Sequence, residues 1–236
     1  PSYFQIDATS CKDDVGGCNK DSTTIHKAGD NFAFTVTAYN SLNGITENYR
    51  QSDGQLQLKV TRVLPSLTGS FDGDFTYATG QSRSTSSGLF SDATLEVFYA
   101  NPFGVSSFAG AQYDEVGVIN VDVQDINYGG ANLIVEAEDI DIGRFTPDHF
   151  KQTVFNSGSL KSTCDLGLTS FFAYNGQLDE ATLTKGTIDY LANPILEITA
   201  FNAGNEVTKN YYEDSDGSLN DFMKIGKAIA TTNKIK

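Results

Sequence analysis

Carboxylates are the side chains of this chain best placed for chemistry. Glu136, Glu138, Asp139 and Asp141 crowd one short stretch, and Asp214, Asp216, Asn220 and Asp221 surround Gly217. Calcium takes about six to eight oxygen ligands, and acidic segments beside a junction of tandem sandwich domains can supply them. The first cluster is therefore the candidate calcium site and calcium the one candidate cofactor. Neither cluster follows the spacing of a calcium loop, however, and strand alternation would set Glu136 and Glu138 on a solvated face, which is the preferred reading. The triplets Ser52-Asp53-Gly54 and Ser215-Asp216-Gly217 read as turns, because Asp-Gly suits a hairpin for backbone reasons alone.

Patterns for nucleophilic or metal-assisted catalysis are missing from the sequence. It has no Gly-x-Ser-x-Gly elbow, no phosphate-cradling glycine loop ahead of a helix, no Cys-x-x-Cys and no His-Glu-x-x-His. The two histidines, His26 and His149, are far apart in the chain. His149 is flanked by Phe145 and Phe150 and reads as a packed structural side chain, and His26 as a surface strand residue. No enzymatic activity is expected. A net charge of −14 repels phosphate backbones and anionic lipid, which argues against nucleic-acid and membrane-surface partners. No segment reaches the roughly 18 apolar residues of a membrane span, and Pro1 to Asp7 lacks a basic start and an apolar run. The chain is expected to begin after any export signal, or never to have had one.

Three cysteines permit one internal disulfide and a leftover thiol. Cys11 and Cys18 flank the polar loop 12–17, and in a β-rich chain of exported character they read as a disulfide in preference to two free thiols. Cys164 is either a buried small side chain or the mate of a cysteine elsewhere.

The elements that must position these residues announce themselves through a repeat. Residues 37–49 read Thr-Ala-Tyr-Asn-Ser-Leu-Asn-Gly-Ile-Thr-Glu-Asn-Tyr, and residues 199–211 read Thr-Ala-Phe-Asn-Ala-Gly-Asn-Glu-Val-Thr-Lys-Asn-Tyr. They align without a gap, matching Asn40 with Asn202, Thr46 with Thr208, Asn48 with Asn210 and Tyr49 with Tyr211. Pro1-Ser2-Tyr3-Phe4 is echoed by Pro147-Asp148-His149-Phe150, and Ser52-Asp53-Gly54 by Ser215-Asp216-Gly217. Three landmarks in one order imply one domain type used twice.

Phe32, Phe34, Val36 and Ala38 alternate with Ala33, Thr35, Thr37 and Tyr39, the period of a strand with one face on a core. Each repeat strand should turn through its Asn-rich stretch, which, with Gly44 in one copy and Gly204 in the other, supplies residues that tolerate positive φ. A second short strand then carries Ile45 or Val207 inward and ends at Tyr49 or Tyr211, both structural residues. Further strands are expected at Leu56–Val63, Ala93–Ala100, Val116–Val123 and Asn132–Ile142. Pro65 to Asp92 is too poor in apolar residues for core strands and reads as a surface excursion. The sole candidate helix is a short one in 221–235. Tyr113, just ahead of an alternating strand, is expected to lock a sandwich corner by bonding its hydroxyl to the backbone.

These observations predict an all-β protein of two tandem immunoglobulin-like antiparallel sandwiches, residues 1–143 and 144–236. The second is expected to be truncated, because far fewer residues follow Tyr211 than separate Tyr49 from the boundary near Gly143.

The strings Thr37-Ala38-Tyr39-Asn40 through Asn48-Tyr49, Tyr113 to Gly117, and Gly143-Arg144-Phe145 with Pro147-Asp148-His149-Phe150 carry a family resemblance. So do Phe172, Tyr174 and Gly176-Gln177, and the second copy from Thr199. With these the chain resembles the C-terminal repeat region of the MshQ-type proteins, associated with biogenesis of mannose-sensitive haemagglutinin type IV pili in Gram-negative bacteria. The resemblance implies a large exported protein whose N-terminal lectin-like sandwich precedes the repeats, displayed at the cell surface or on a pilus. Its partners would be other domains of that protein and pilus or surface components. The lectin-like part is not in this sequence, nor is a second Tyr-x-Glu-Val-Gly, so no carbohydrate site carries over. The function expected is a non-catalytic structural or adhesive module; the alternative is a sandwich that itself binds a glycan or calcium at the acidic junction or between Pro65 and Asp92.

The pairing of Cys11 with Cys18 predicts that unreduced, alkylated chain yields a cross-linked peptide containing both, separable only by reductant. Mass spectrometry showing alkyl groups on both thiols before reduction would remove the pairing.

Overall fold

The computed structural model describes residues 1–8, 26–51, 54–65, 70–96, 98, 103–156, 159–161, 187–189 and 193–211. Cys11, Cys18, Cys164, the acidic cluster around Gly217 and the candidate helix at 221–235 lie outside the described residues. Those described contain strands and turns and no α-helix.

In chain order the first strands are β1 (Tyr3–Ala8), β2 (His26–Lys27), β3 (Phe32–Tyr39), β4 (Leu56–Leu64), β5 (Asp74–Ala78) and β6 (Gln81–Ser84). They are followed by β7 (Ser91–Asp92), β8 (Val105–Tyr113), β9 (Gly117–Tyr128), β10 (Leu133–Glu136) and β11 (Ile140–Thr146). One sheet runs β1-β3-β8-β5-β6 and the other β2-β11-β9-β4-β7, with β10 also on β9. All these pairings are antiparallel except the short β2–β11 contact. The result is a β-sandwich, and the period-two patterns of its strands aim at one core. In β3, Phe32, Phe34, Val36 and Ala38 are buried; in β4, Leu56, Leu58 and Val60; in β9, Ile119, Val121 and Val123. Aromatic rings fill the space between the sheets. Phe75 meets Phe34 edge-on with centroids 5.3 Å apart, and Tyr49 meets Phe98 at 5.0 Å and Phe4 at 5.2 Å in the same manner.

The structure corrects several expectations from pattern. Pro65 to Asp92 holds β5, β6 and β7, and β5 sends Phe75, Tyr77 and Ala78 into the core. Two aromatics at alternate positions were enough to make a core strand, although Gly and Ser dominate around them. Ala93–Ala100 is not a strand at its described residues, yet Ala93, Leu95 and Phe98 are buried, so a loop supplies core there. Asn132–Ile142 is two strands, β10 and the start of β11, interrupted between Glu136 and Ile140. His26 is no free surface residue: its ring lies 5.1 Å from Phe32 and 5.9 Å from Phe145.

Two compact units divide the chain, one comprising Pro1–His149 with the segment from Ala200, the other running from Phe150 to Thr199 with the chain's last residues. Two further pairs are β12 (His149–Phe155) with β15 (Ile195–Phe201), which lie in the second unit except at His149, Ala200 and Phe201, and β13 (Ser159–Lys161) with β14 (Thr187–Asp189), an antiparallel pair.

Asp125 is a polar residue without exposed surface inside the sandwich. It is fully buried on β9, and Oδ2 accepts the Tyr49 hydroxyl at 2.9 Å while Oδ1 accepts the main-chain N–H groups of Gln55 at 2.9 Å and Asn127 at 3.0 Å. A side chain at Gly54 would strike this carboxylate, so glycine is required there for space. Tyr49→Phe removes one of the three donors and should cost about 1.5–3 kcal/mol. Gly54→Ala should cost at least as much. Urea unfolding would register both as a lower midpoint at constant slope, and an unmoved midpoint for Tyr49→Phe would mean the hydroxyl does not support the carboxylate.

Candidate functional site

The repeat marks the site, because both copies fold into the same hairpin. Tyr39 bridges Ile45 and Phe201 bridges Val207. Thr46 N–H donates to Ala38 C=O at 2.8 Å, and Thr208 N–H to Ala200 C=O at 3.0 Å. The turn closes through Asn40 N–H to Gly44 C=O at 2.8 Å in one copy and Asn202 N–H to Glu206 C=O at 2.9 Å in the other. Asn40 Oδ1 accepts from Gly44 N–H, as Asn202 Oδ1 does from Glu206 N–H. Positive φ falls on Asn43 and Asn205 of the expected turn stretch, at equivalent positions in the two copies, since asparagine tolerates the left-handed region. Ile45 and Val207 do not point inward as expected; they are 42% and 50% exposed. Each second arm is a single bridge, too short to deliver a side chain to the core.

Equivalence extends to the opening strings. Ser2 N–H donates to Tyr39 C=O at 2.6 Å and Asp148 N–H to Phe201 C=O at 2.8 Å. Tyr3 stacks on Tyr39 at 5.3 Å, and His149 on Phe201 at 5.4 Å. His149 Nδ1 also lies 2.8 Å from Asp148 Oδ2, whose partner Oδ1 receives Lys27 Nζ at 2.7 Å. These donors hold the Asp148 carboxyl below the usual carboxylate range, that of Lys27 first.

The second-copy hairpin is seated on the turn between β8 and β9, Tyr113-Asp114-Glu115-Val116. Glu115 is buried, and its Oε2 accepts Lys209 N–H at 2.7 Å while Oε1 accepts Asn210 N–H at 3.1 Å and Val116 N–H at 2.8 Å. Asn210 is fully buried and reads the backbone of Phe71 in both senses: Oδ1 accepts from its N–H at 2.7 Å and Nδ2 donates to its C=O at 2.8 Å. Asn202 Nδ2 donates to Asp114 C=O at 3.0 Å, and Ala203 N–H to Ala28 C=O at 2.8 Å. Lys209 Nζ lies 5.5 Å from the Phe71 ring centroid, within range of a cation–π contact. Tyr211 is half-buried and packs with Val63 and Leu64 around Val118.

Burial pushes the Glu115 carboxyl above its ordinary value, against the three backbone N–H groups that favour the anion, and the neighbouring Asp114 charge adds to the rise. Burial likewise raises Asp114, although Asp74 N–H donates to its Oδ1 at 2.7 Å.

Tyr113 is structural, but not by the expected device. Its ring is buried 5.1 Å from Phe145, and its hydroxyl, also buried, bonds to no described backbone group. Burial raises the phenol strongly. The adjacent Thr85 hydroxyl is engaged elsewhere, donating to Asp72 Oδ1 at 3.1 Å and accepting from Gly73 N–H at 3.2 Å. The corner is held by packing and by Gly29 N–H donating to Tyr113 C=O at 2.7 Å.

The candidate calcium residues are dispersed. Glu136 sits exposed on β10, and Glu138 is exposed between β10 and β11. Asp139 and Asp141 share the Asn120 amide, whose Nδ2 donates to Asp139 Oδ2 at 2.6 Å and to Asp141 Oδ1 at 2.9 Å. Among the described residues no three His, Cys, Asp or Glu side chains are grouped to hold a metal ion. Among them, too, no helix is long and apolar enough to cross a membrane.

Glu115, Asn202 and Asn210 carry the site, and pattern reading gave none of them a role. The available signal was the identity of Asn40 with Asn202 and of Asn48 with Asn210. What the arrangement does chemically is clamp a hairpin: a buried carboxylate and two amides satisfy main-chain donors and acceptors that no strand pairs.

Residues 1–92 match the family model described as "DUF6701, second domain", and residues 115–233 match "DUF6701, third domain". No curated protein and no solved structure matches the chain.

The raised Glu115 value has a pH signature. Between its ordinary value of 4.5 and the higher folded-state value, the folded chain keeps a proton that the unfolded chain has lost. Stability from this group is therefore complete below that window and is lost as pH rises through the folded-state value. Glu115→Gln does not titrate, so its thermal unfolding should trail that of the unaltered chain by more at about pH 5 than at about pH 7. A gap that is constant, or that widens toward neutral pH, would contradict an upward shift of Glu115.

Proposed function

Because this chain belongs to the DUF6701 family and matches its second and third domains, we propose that it is a non-catalytic structural or adhesive segment of a large exported surface protein of the MshQ type. In this reading it serves type IV pilus biogenesis in a Gram-negative cell, and its partners are the other domains of its protein together with pilus or surface components. The observation that carries the reading is the use made of the buried polar groups. Glu115 and Asn210, the sort of groups that in an enzyme would face a cleft, are bonded to the backbone of Phe71, Val116, Lys209 and Asn210 itself. Such use suits a part whose task is to hold modules in register. The string from Gly143 to Phe150 supports the MshQ assignment within the family, and the strand-and-turn composition with its acidic charge supports an exported module.

Antibodies raised against the purified chain should label intact cells of a strain that produces the parent protein. Deleting the segment should reduce pilus-dependent haemagglutination severalfold. Labelling confined to lysed cells, or haemagglutination untouched by the deletion, would overturn the proposal.

A further inference from the structure

The two equivalent hairpins differ in the use of their first and last asparagines, which bond to other segments of the chain in the second copy and not in the first. Asn202 and Asn210 are buried against Asp114, Phe71 and Val116, whereas their counterparts Asn40 and Asn48 are exposed. The main-chain N–H groups of Ala203, Lys209 and Asn210 all donate across the seat. Those of Ser41, Glu47 and Asn48, at the matching positions, donate to no described residue, and neither does the Asn48 side chain. Asn40 Oδ1 accepts from Leu42 N–H at 2.9 Å and Gly44 N–H at 3.0 Å, which leaves its Nδ2 available as a donor. Leu42, at the tip, is 89% exposed.

We propose that the Asn40–Tyr49 hairpin is a docking site for the Tyr-Asp-Glu-Val turn of another module of this family, seated as the Asn202–Tyr211 hairpin is seated on Tyr113–Val116. The chemistry of the occupant follows from the engaged copy. It presents a buried carboxylate to accept the Glu47 and Asn48 N–H groups, a carbonyl for the Asn40 amide, and one residue offering both N–H and C=O to the Asn48 side chain. Asn48 is exposed and makes no bond within its own hairpin, so its amide is available to a partner of this kind. Glu47 replaces Lys209 and would favour a basic neighbour where Lys209 covers Phe71. Leu42, in the place of Gly204, adds apolar area to the contact. The modules matched by this chain are numbered second and third in their family, and a serial arrangement brings such a turn to such a hairpin. The inference rests on the equivalence of the two copies and not on surface display, so it stands or falls apart from the proposed function.

The test fuses an extra copy of residues 1–146 ahead of Pro1, so that Thr146 precedes Pro1 as it precedes Pro147. Hydrogen exchange is then followed by NMR at the amides of residues 47 and 48 in the original copy. They should slow by about tenfold or more relative to the unfused chain, approaching residues 209 and 210 in the same molecule. Glu115→Ala in the added copy alone should return them to fast exchange. Fast exchange at 47 and 48 beside protected 209 and 210 would overturn the proposal. Should the added copy not fold, the unaltered 15N-labelled chain is titrated with unlabelled Asn210→Asp chain, whose own hairpin is released from Glu115 by charge repulsion. Shifts at residues 47 and 48 support the proposal; silence there while the Asn210→Asp chain shows an exposed Tyr113–Val116 turn overturns it.

Discussion

Asp125 and Glu115 are carboxylates taken out of water, and burying such a group costs several kcal/mol unless donors surround it. Among the described residues no cation is paired with either by hydrogen bond; the donors are main-chain N–H groups and one tyrosine hydroxyl. Each carboxylate thereby dictates where backbone must lie. Asp125 draws the chain after Tyr49 against β9 and leaves room only for glycine at position 54. Glu115 draws Lys209 and Asn210 onto the turn after β8. The hydrophobic core would tolerate sliding of one apolar side chain past another, whereas three directed hydrogen bonds to one carboxylate admit a single register.

The same logic explains why an Asn-rich hairpin occurs twice. An asparagine side chain is one that can copy a strand partner, accepting with Oδ1 and donating with Nδ2. Asn210 does so for Phe71, a residue outside any strand pairing, and Asn202 does it partly for its own turn and partly for Asp114. A hairpin built this way closes on itself through one face and offers its remaining polar groups through the other. Its two appearances, one seated and one exposed, are then the same object with and without a seat.

Much of the strand pattern could be read directly. Phe32, Phe34, Val36 and Ala38 declared a strand with one buried face because side chains alternate along an extended backbone, and β4 and β9 were equally plain. Reading failed where burial came from fewer residues than pattern requires. β5 places only Phe75, Tyr77 and Ala78 in the core amid Gly and Ser, and Ala93, Leu95 and Phe98 contribute core side chains from outside any strand. The calcium set was assembled from proximity along the chain, and strand geometry separated it, leaving Asp139 and Asp141 sharing the Asn120 amide.

By itself the sequence determined the all-β class, the acidic surface and the recurrence of one hairpin, since period, net charge and repeated strings are properties of the chain in one dimension. Only the tertiary structure decided which polar residues were to be buried. Asn48 and Asn210 are of one type and hold the same place in the repeat, yet one is exposed and the other has no exposed surface, because only the second is brought to Glu115 and Phe71. Burial is set by what folds alongside a residue, and that neighbour lies far along the chain, beyond the reach of any local pattern.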